Sequence, residues 1–291
     1  MSGNATPTLP RAIDAFVNVN MGSTDKPEWL IRVAEDYFKR SDAMFKDIGV
    51  SELVDLMDAH GVEKSILSTR AEEPDPHVLS FTKARPDRFA LSMSVDPRRG
   101  MPPLRALEAM VRSEPVALAR AFPFMTGLAP NDRVYYPLFA KCVDLGLPIS
   151  INTGIPGPPA PGGVQNPIYL DDICLFFPDL VLVMAHGADP WWDVAIRLML
   201  KYKNLYLMTS AYAPRYFPES LVHYMNTRGK QKIIFASDHP VLAMDRCVRE
   251  ALAMDLREGV LEDFLYGNAQ RVLFDHMDGR TGRQTGGASR G

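Results

Sequence analysis

The sequence predicts an α/β protein built as a (β/α)8 TIM barrel, and two observations support this prediction. Short apolar segments alternate with amphipathic segments eight times between residues 12 and 275, which matches the size and rhythm of such a barrel. The segment 180–186 is almost wholly apolar, as a parallel strand covered on both faces should be. The alternation argues against a sandwich or a segregated α+β fold. A doubly wound open sheet, which would more often carry fewer strands, stays open.

The predicted strands are short runs rich in apolar and β-branched residues. The first of them also shows the alternation of a half-buried strand. Strands are predicted at 12–18, 64–70, 89–96, 117–124, 148–153, 180–186, 205–210 and 232–238.

The predicted helices are amphipathic, and two of them carry recognisable end signals. Ser51 is the expected N-cap of a helix at 51–60, and Gly61 is its stop. Pro27 stands in the first turn of a helix at 27–40. Further helices are predicted at 76–84, 103–112, 134–145, 169–176, 190–202, 219–227, 245–257 and 261–274.

A single barrel domain is expected over residues 12–275, with an insertion at 21–50 that follows the first strand. Residues 1–11 form an N-terminal extension. Residues 276–291 are rich in Gly, Ser, Arg and Gln, which cannot build a core, so a disordered tail is predicted there.

The composition argues against several function classes. A hydrophobic fraction of 46% and a charged fraction of 23% suit a soluble globular protein. A net charge of −3 gives no electrostatic basis for binding nucleic acid or an anionic membrane. No apolar run reaches about 18 residues and no secretory signal is visible, so neither a membrane span nor secretion is expected.

The cysteines and the expected partners complete this part of the picture. Cys142, Cys174 and Cys247 are widely spaced in apolar helical contexts, which indicates reduced packing residues and a cytoplasmic location. The expected partner is a small-molecule substrate, and a homo-oligomer stays open.

Two strand ends carry the candidate catalytic residues, because a TIM barrel builds its active site at the C-terminal ends of its strands. His186 ends the sixth strand, and Gly187 allows a sharp turn that aims the ring across the barrel mouth. Asp238 ends the eighth strand. The alternative roles are a satisfied structural histidine and an aspartate that caps the following turn.

Other strand ends supply candidate substrate contacts. Arg70 could bind a substrate carboxylate with its guanidinium or take part in a surface ion pair. Arg120 lies within the fourth strand and is expected to pair structurally. The remaining candidates are Phe16, Asn18, Asn152, Trp191, Tyr212 and His239.

Several short motifs occur in an order that matches one enzyme family. They are Ile13-Asp14 in the first strand, Met57 to Val62 at the end of the first barrel helix, Gly146-Leu147-Pro148 and Thr153-Gly154 around the fifth strand, Ser237-Asp238 in the eighth, and Gly267-Asn268-Ala269 near the end. By these motifs the chain resembles the amidohydrolase-related (amidohydrolase 2) family, which includes aminocarboxymuconate-semialdehyde decarboxylase and the resorcylate decarboxylases. The resemblance covers residues 12–275 and implies a TIM barrel.

The resemblance also implies a metal site, but most of its ligands are replaced in this chain. The family carries histidines at the places of Phe16, Asn18 and Asn152, and Asp238 alone keeps the ligand type. A phenyl ring has no lone pair to donate, and a neutral amide oxygen is a poor zinc ligand. We therefore predict no metal and no other cofactor. The family histidine at the place of His186 acts as a general acid or base.

The resulting hypothesis is a metal-independent hydrolase or non-oxidative decarboxylase. Asp238 and His186 would act together as a general-base pair on a small activated carboxylic acid, lactone or thioester. Two alternatives stay open at this point. One is a catalytically silent barrel that binds a small molecule or partner, and the other is a metal-dependent amidohydrolase with atypical ligands.

Overall fold

The computed structural model describes residues 11–39 and 41–277 and contains all eight predicted strands. The strands run parallel and lie side by side in chain order, so the (β/α)8 prediction is confirmed and the doubly wound sheet is excluded. They are β1 Ala12–Val17, β2 Val62–Arg70, β3 Phe89–Ser94, β4 Val116–Ala121, β5 Ile149–Asn152, β6 Leu182–Ala185, β7 Leu205–Met208 and β8 Ile233–Ile234.

Helices connect these strands and cover the outside of the barrel. The α-helices are α1 Glu28–Arg32, α2 Ser41–Met44, α3 Val50–Ala59, α4 Pro76–Ala84, α5 Met101–Ser113, α6 Pro123–Thr126, α7 Tyr136–Asp144, α8 Leu170–Phe176, α9 Trp192–Lys201, α10 Glu219–Met225, α11 Met244–Leu252 and α12 Val260–Glu262. Val33–Tyr37 continues α1 as a π-helix, and two more π-helical segments, Asp263–Gly267 and Gln270–Phe274, follow α12. Short 3-10 turns lie at Pro97–Arg99, Arg133–Tyr135, Gly162–Gln165, Pro167–Tyr169 and Pro214–Tyr216.

The barrel closes between β1 and the segment that follows β8. The Ala15 amide donates a hydrogen bond to the Phe235 carbonyl at 3.1 Å, and the Asp238 amide donates to the Phe16 carbonyl at 3.0 Å. Because this pairing continues past β8, residues 235–238 run alongside β1, although they are not assigned to a strand.

A buried carboxylate fixes the same seam. Asp14 is 0% exposed and accepts hydrogen bonds from the Ser237 amide at 2.9 Å, the Ser237 hydroxyl and the Phe16 amide. Burial raises the pKa of Asp14 to about 6 even though these bonds favour its charged form. Asp14 therefore ties the first strand to the last, at the base of the strand ends.

The apolar core has two layers, as a filled TIM barrel requires. The larger layer lies between the strands and the surrounding helices. The smaller one fills the barrel interior with side chains such as Ile13, Ile66, Val183 and Met208. Cys142, Cys174 and Cys247 are buried and free, as the sequence predicted.

Several predicted boundaries were wrong for identifiable reasons. Helix α3 begins at Val50 after Gly49, so Ser51 lies inside the helix and is not its N-cap. Strand β4 ends at Ala121, and Pro123 starts a short helix because proline fits a first helical turn but cannot donate to a strand ladder. Phe124 is therefore a helical residue and not the end of a strand.

The ends of the chain test the predicted tail only in part. Residues 276–277 continue the last helix and are not disordered. The rest of that tail, 278–291, and residues 1–10 of the predicted extension lie outside the described residues. Within 11–39 and 41–277, no helix has the length and hydropathy needed to cross a bilayer.

Candidate active site

A buried arginine lies at the centre of the strand ends. Arg120 on β4 is 0% exposed. Its Cζ lies 3.5 Å from the ring centroid of Phe16 and 4.8 Å from that of Phe122, so two aromatic rings hold the guanidinium. A fixed positive charge therefore lies against Phe16. This residue stands where the family that the chain resembles carries a metal-binding histidine.

The guanidinium also joins two of the predicted site residues. Arg120 Nη2 donates to His186 Nε2 at 2.8 Å and to Asn152 Oδ1 at 3.3 Å. The His186 ring meets the Phe16 ring edge to face, with centroids 5.4 Å apart. Four side chains from four different strands or strand ends thus converge on one point, because parallel strands of a barrel end at a common rim.

The backbone is strained where the two candidate catalytic residues lie. His186 has φ 65° and Asp238 has φ 66°, which is the left-handed region that residues other than glycine rarely adopt. Gly187 follows with φ 66°, and a Cβ there would meet the Trp192 ring at 2.4 Å. These angles turn the chain sharply at the ends of β6 and β8, and strain of this kind clusters at functional sites.

Asp238 is a buried carboxyl with few partners. Its side chain accepts a hydrogen bond from Asn18 Nδ2 at 2.9 Å, and the residue is 7% exposed. Burial raises the pKa of Asp238 to about 7, although the charge of Arg120 and the Asn18 hydrogen bond both act to lower it. The carboxyl is therefore poised to give or take a proton near neutral pH.

His186 is held neutral. Burial and then the nearby charge of Arg120 lower its pKa to about 3. Because arginine can only donate, Nε2 must accept, and the ring proton resides on Nδ1. His186 therefore hydrogen-bonds Arg120 and not Asp238, which leaves the expected general-base pair without a direct link.

Four polar atoms inside the barrel lack hydrogen-bond partners among the described residues. They are Nε and Nη1 of Arg120 and the hydroxyl oxygens of Ser92 and Ser150. The strand register places Ser150 directly beside Arg120 on β5. Ser94 pairs with Arg120 on the other side, and Ser92 lies two residues earlier on the same strand face. The interior below the mouth is therefore polar on the β3–β5 side.

The other predicted contacts lie at the rim. Arg70 ends β2 with its side chain 73% exposed and pairs with Glu73 at 2.8 Å. Trp191 is half-buried, whereas its neighbour Trp192 is buried and packs edge to face on Tyr212 at 5.3 Å. The carbonyl of His239 accepts from the Asn18 amide group, Nδ2, at 3.5 Å. These residues surround the mouth without joining the hydrogen-bond cluster of Arg120.

The side chains at the strand ends are not suited to bind the metal ion of the family that the chain resembles. Asn152 Oδ1 already accepts from Arg120, and Asn18 turns its Nδ2 donor toward Asp238. A guanidinium in the middle of the set would repel a cation. Among residues 11–39 and 41–277, no group of three His, Cys, Asp or Glu side chains could hold a metal ion.

Arg120 was not among the candidate site residues predicted from the sequence. It was expected to form a structural pair, yet within the described part of the chain it forms no ion pair within 4 Å. The available signal was its setting, because Arg120 is the only charged residue in the apolar segment Val116–Ala121 and alternates with Leu118. A charge in such a segment must face the barrel interior or be paired.

Two clefts lie at the opposite end of the barrel. The larger has a volume of about 520 Å³ and is lined by residues that precede β2 and β3, among them Asp58, Arg85 and Arg88. Arg88 pairs with Asp58 at 2.6 Å. Because the N-terminal ends of TIM-barrel strands serve stability and not chemistry, these clefts do not compete with the strand-end site.

Comparison with known proteins gives a family and a set of structural relatives. A model of the family described as amidohydrolase matches residues 13–274. An uncharacterised TIM-barrel protein, Bb4693 from Bordetella bronchiseptica, is 22% identical with TM-score 0.74, covering 93% of this chain and all of its own. No curated protein matches the chain.

Two decarboxylases are more distant structural relatives. The 2,6-dihydroxybenzoate decarboxylase from Rhizobium is 17% identical with TM-score 0.65, covering 91% of this chain and 98% of its own. A 5-carboxyvanillate decarboxylase from Novosphingobium aromaticivorans, whose structure contains manganese, is 16% identical with TM-score 0.65, covering 94% and 97%. At these identities the similarity establishes a shared fold.

Proposed function

The chain belongs to the amidohydrolase family as an amidohydrolase-like enzyme, and we propose that it works without a metal ion. The proposed reaction is hydrolysis or non-oxidative decarboxylation of a small activated carboxylic acid, lactone or thioester. The observation that supports this proposal is the buried Asp238 carboxyl, with a pKa of about 7, among side chains that do not fit the family metal. An activated substrate is required because no metal-bound water supplies the nucleophile.

Asp238 is the proposed proton-transfer group. In hydrolysis, the ionised carboxylate removes a proton from water while the water oxygen attacks the substrate carbonyl. The same proton then goes to the departing alkoxide or thiolate. In decarboxylation, the protonated carboxyl gives its proton to the carbon that bears the carboxylate, the bond to that carboxylate breaks, and CO2 departs. Solvent then restores the proton to Asp238.

His186 is proposed to orient and polarise the substrate and not to take its proton. With a pKa of about 3, the ring is neutral at pH 7, and its Nδ1 hydrogen makes no close hydrogen bond to the described residues, although the Ser210 backbone lies near enough to raise the pKa. A neutral imidazole N–H can donate to a substrate oxygen that gains negative charge. The proposal thus revises the expected Asp238–His186 base pair into one acid–base group and one hydrogen-bond donor.

The remaining candidates form the proposed pocket wall. Phe16 supplies an apolar surface whose burial of Asp238 helps to keep its pKa high. Asn18 holds the carboxyl in place through its 2.9 Å hydrogen bond. Arg70, Trp191, Tyr212 and His239 are proposed substrate contacts at the rim, and Asn152 is proposed to act through Arg120.

The test is a substrate panel of lactones, thioesters and hydroxyaryl carboxylates, each assayed for acid release and for CO2 release. We expect turnover that persists after extensive chelation and is lost in Asp238→Asn. Asp87→Asn is the matched control because Asp87 is a surface carboxylate paired with Arg85 at the far end of the barrel. Activity that disappears with chelator and returns with one equivalent of manganese or zinc would overturn the proposal.

A further inference from the structure

We infer that Arg120, together with Ser92 and Ser150, forms a binding site for a carboxylate group of the substrate inside the barrel. This inference deepens the proposed function and rests on it for the identity of the bound molecule as a substrate. It selects carboxylate-bearing compounds from the proposed substrate classes.

Arg120 carries a buried charge that lacks a direct ion-pair partner among the described residues. Its side chain is 0% exposed, and its hydrogen bonds go to the neutral Nε2 of His186 and the neutral amide oxygen of Asn152. Within 11–39 and 41–277, Arg120 forms no ion pair within 4 Å. A buried charge without a counterion is costly, so such a group is normally paired. Burial lowers the pKa of Arg120 and the charge of Asp238 acts to raise it, but Asp238 forms no ion pair with the guanidinium, so a bound anion would supply a direct partner.

Two nitrogens of the Arg120 guanidinium are unused hydrogen-bond donors. Arg120 Nε and Nη1 are buried and make no hydrogen bond to any described residue. Each of these N–H groups can donate a short, charge-assisted hydrogen bond to a carboxylate oxygen. Because Nη2 is held by His186 and Asn152, the free nitrogens are fixed in position and do not need to reorganise when an anion binds.

The third step concerns the neighbours of these donors. The Ser92 and Ser150 hydroxyls are buried without partners in the described structure, and the register puts Ser150 next to Arg120. A hydroxyl can donate to a carboxylate oxygen as readily as it accepts. Side chains on the three neighbouring strands β3, β4 and β5 thus carry unused donors on the interior face.

The fourth step concerns space. TIM-barrel interiors are usually filled with bulky branched residues. Here the barrel interior also contains small buried side chains, namely Ala15, Ala90, Ser92, Ser150, Ala185 and Ala236, beside larger ones such as Ile13 and Met208. The Phe16 and Phe122 rings hold the guanidinium in one orientation. A small carboxylate is the ligand whose charge matches the unused donors.

The test measures binding and requires no turnover. Wild-type protein is titrated with benzoate and acetate, and with benzamide as the neutral isostere, by calorimetry. We expect at least one carboxylate to bind and benzamide to bind at least tenfold more weakly. Arg120→Gln should weaken carboxylate binding by about 10- to 100-fold, as expected for the loss of charge-assisted hydrogen bonds.

Two further variants locate the site. Arg85→Gln removes a surface arginine at the far end of the barrel and should bind like wild type, whereas Ser150→Ala should weaken binding several-fold. Binding that survives Arg120→Gln, or that is lost in Arg70→Gln instead, would place the anion at the rim and overturn the inference. Absence of binding to wild type would overturn it as well.

A spectroscopic measurement covers the case in which Arg120→Gln does not fold. In wild-type protein labelled with 15N-arginine, benzoate should shift a slowly exchanging buried Nε–H signal and benzamide should not. An unchanged spectrum at saturating benzoate overturns the inference. Carboxylate binding by a protein whose activity proves metal-dependent would refute the proposed function and leave this site intact.

Discussion

Two buried carboxyls on neighbouring segments of the barrel have opposite surroundings. Asp14 accepts hydrogen bonds from the Ser237 amide and hydroxyl and from the Phe16 amide. The side chain of Asp238 accepts one, from Asn18. Burial raises the pKa of both groups, to about 6 for Asp14 and about 7 for Asp238. Burial alone therefore does not distinguish the two carboxyls, whereas the unused acceptor capacity of Asp238 at a strand end does, and this supports its proposed role in proton transfer.

The largest expected effect separates the two carboxyls by activity. Asp238→Asn should lower kcat about 10²- to 10⁴-fold, because it removes the proton-transfer group. Its free energy of unfolding at pH 8 should equal or exceed that of wild type, since the variant no longer buries a charge. Steady-state kinetics and urea unfolding check both statements. Asp14→Asn serves as the comparison, and an equal loss of kcat per folded molecule in both variants would contradict the assignment.

The second expected effect is a difference in stability between variants of Asp14 and variants of Asp238. Asp14→Ala should lower the free energy of unfolding by about 2–4 kcal/mol, because two backbone amides lose their acceptor at the barrel seam. Asp238→Ala should lower the free energy of unfolding less. It leaves only the side-chain amide of Asn18 without its acceptor, and that amide can reorient. Urea denaturation at pH 7 measures both values. A larger loss of unfolding free energy in Asp238→Ala would mean that Asp238, and not Asp14, stabilises the barrel seam.

The third effect concerns pH. Both folded-state pKa values lie above the unfolded value of 3.8, so the folded state retains protons that the unfolded state has lost. Stability from these groups is therefore complete below about pH 4 and decreases as pH rises, by at most about 1.4 kcal/mol per pH unit for each group. The loss should end near pH 6 for Asp14 and near pH 7 for Asp238.

Unfolding measured from pH 4 to pH 8 tests these windows. Asp238→Asn should remove the slope between pH 6 and pH 7, and Asp14→Asn should change only the part below it. The activity profile adds a second readout. If Asp238 acts as a base in hydrolysis, kcat/KM should rise with pH through about 7, and if it acts as an acid in decarboxylation, kcat/KM should fall there.

The smallest effect concerns restoration of a metal site beside Asp238. The triple variant Phe16→His, Asn18→His, Asn152→His would restore the three histidines that the family carries at these places, but Cζ of Arg120 lies 3.5 Å from the centroid of the Phe16 ring, and its charge opposes a second cation. Zinc should therefore raise the Tm of the triple variant little. Adding Arg120→Met should enlarge the shift, toward the roughly 2.7 kcal/mol that a ligand at 100 times its Kd provides. Thermal melts with and without zinc measure this, and an equal shift in both variants would show that Arg120 does not obstruct the ion.

The fold was predictable from the sequence because its signals are local. Apolar alternation and short motifs located all eight strands, and helix α4 was predicted at its observed bounds of Pro76–Ala84. The errors arose where the end of an element depends on one backbone choice, as at Gly49 and Pro123.

The site was predictable only in part. His186 and Asp238 could be found because they end strands, which is a property of chain position. Arg120 could not be placed in the candidate site, because its surroundings depend on the side chains brought beside it by the register of β3, β4 and β5. Such pairings across strands are not written in any single stretch of sequence.

The left-handed backbone at His186 and Asp238 restricts how this site can change during evolution. Glycine, asparagine, aspartate and histidine are the residues that most readily adopt φ near 65°. Three of these four side chains also bind metals or take part in proton transfer or hydrogen bonding. A lineage can therefore exchange one chemical group for another at the ends of β6 and β8 without reshaping the loops.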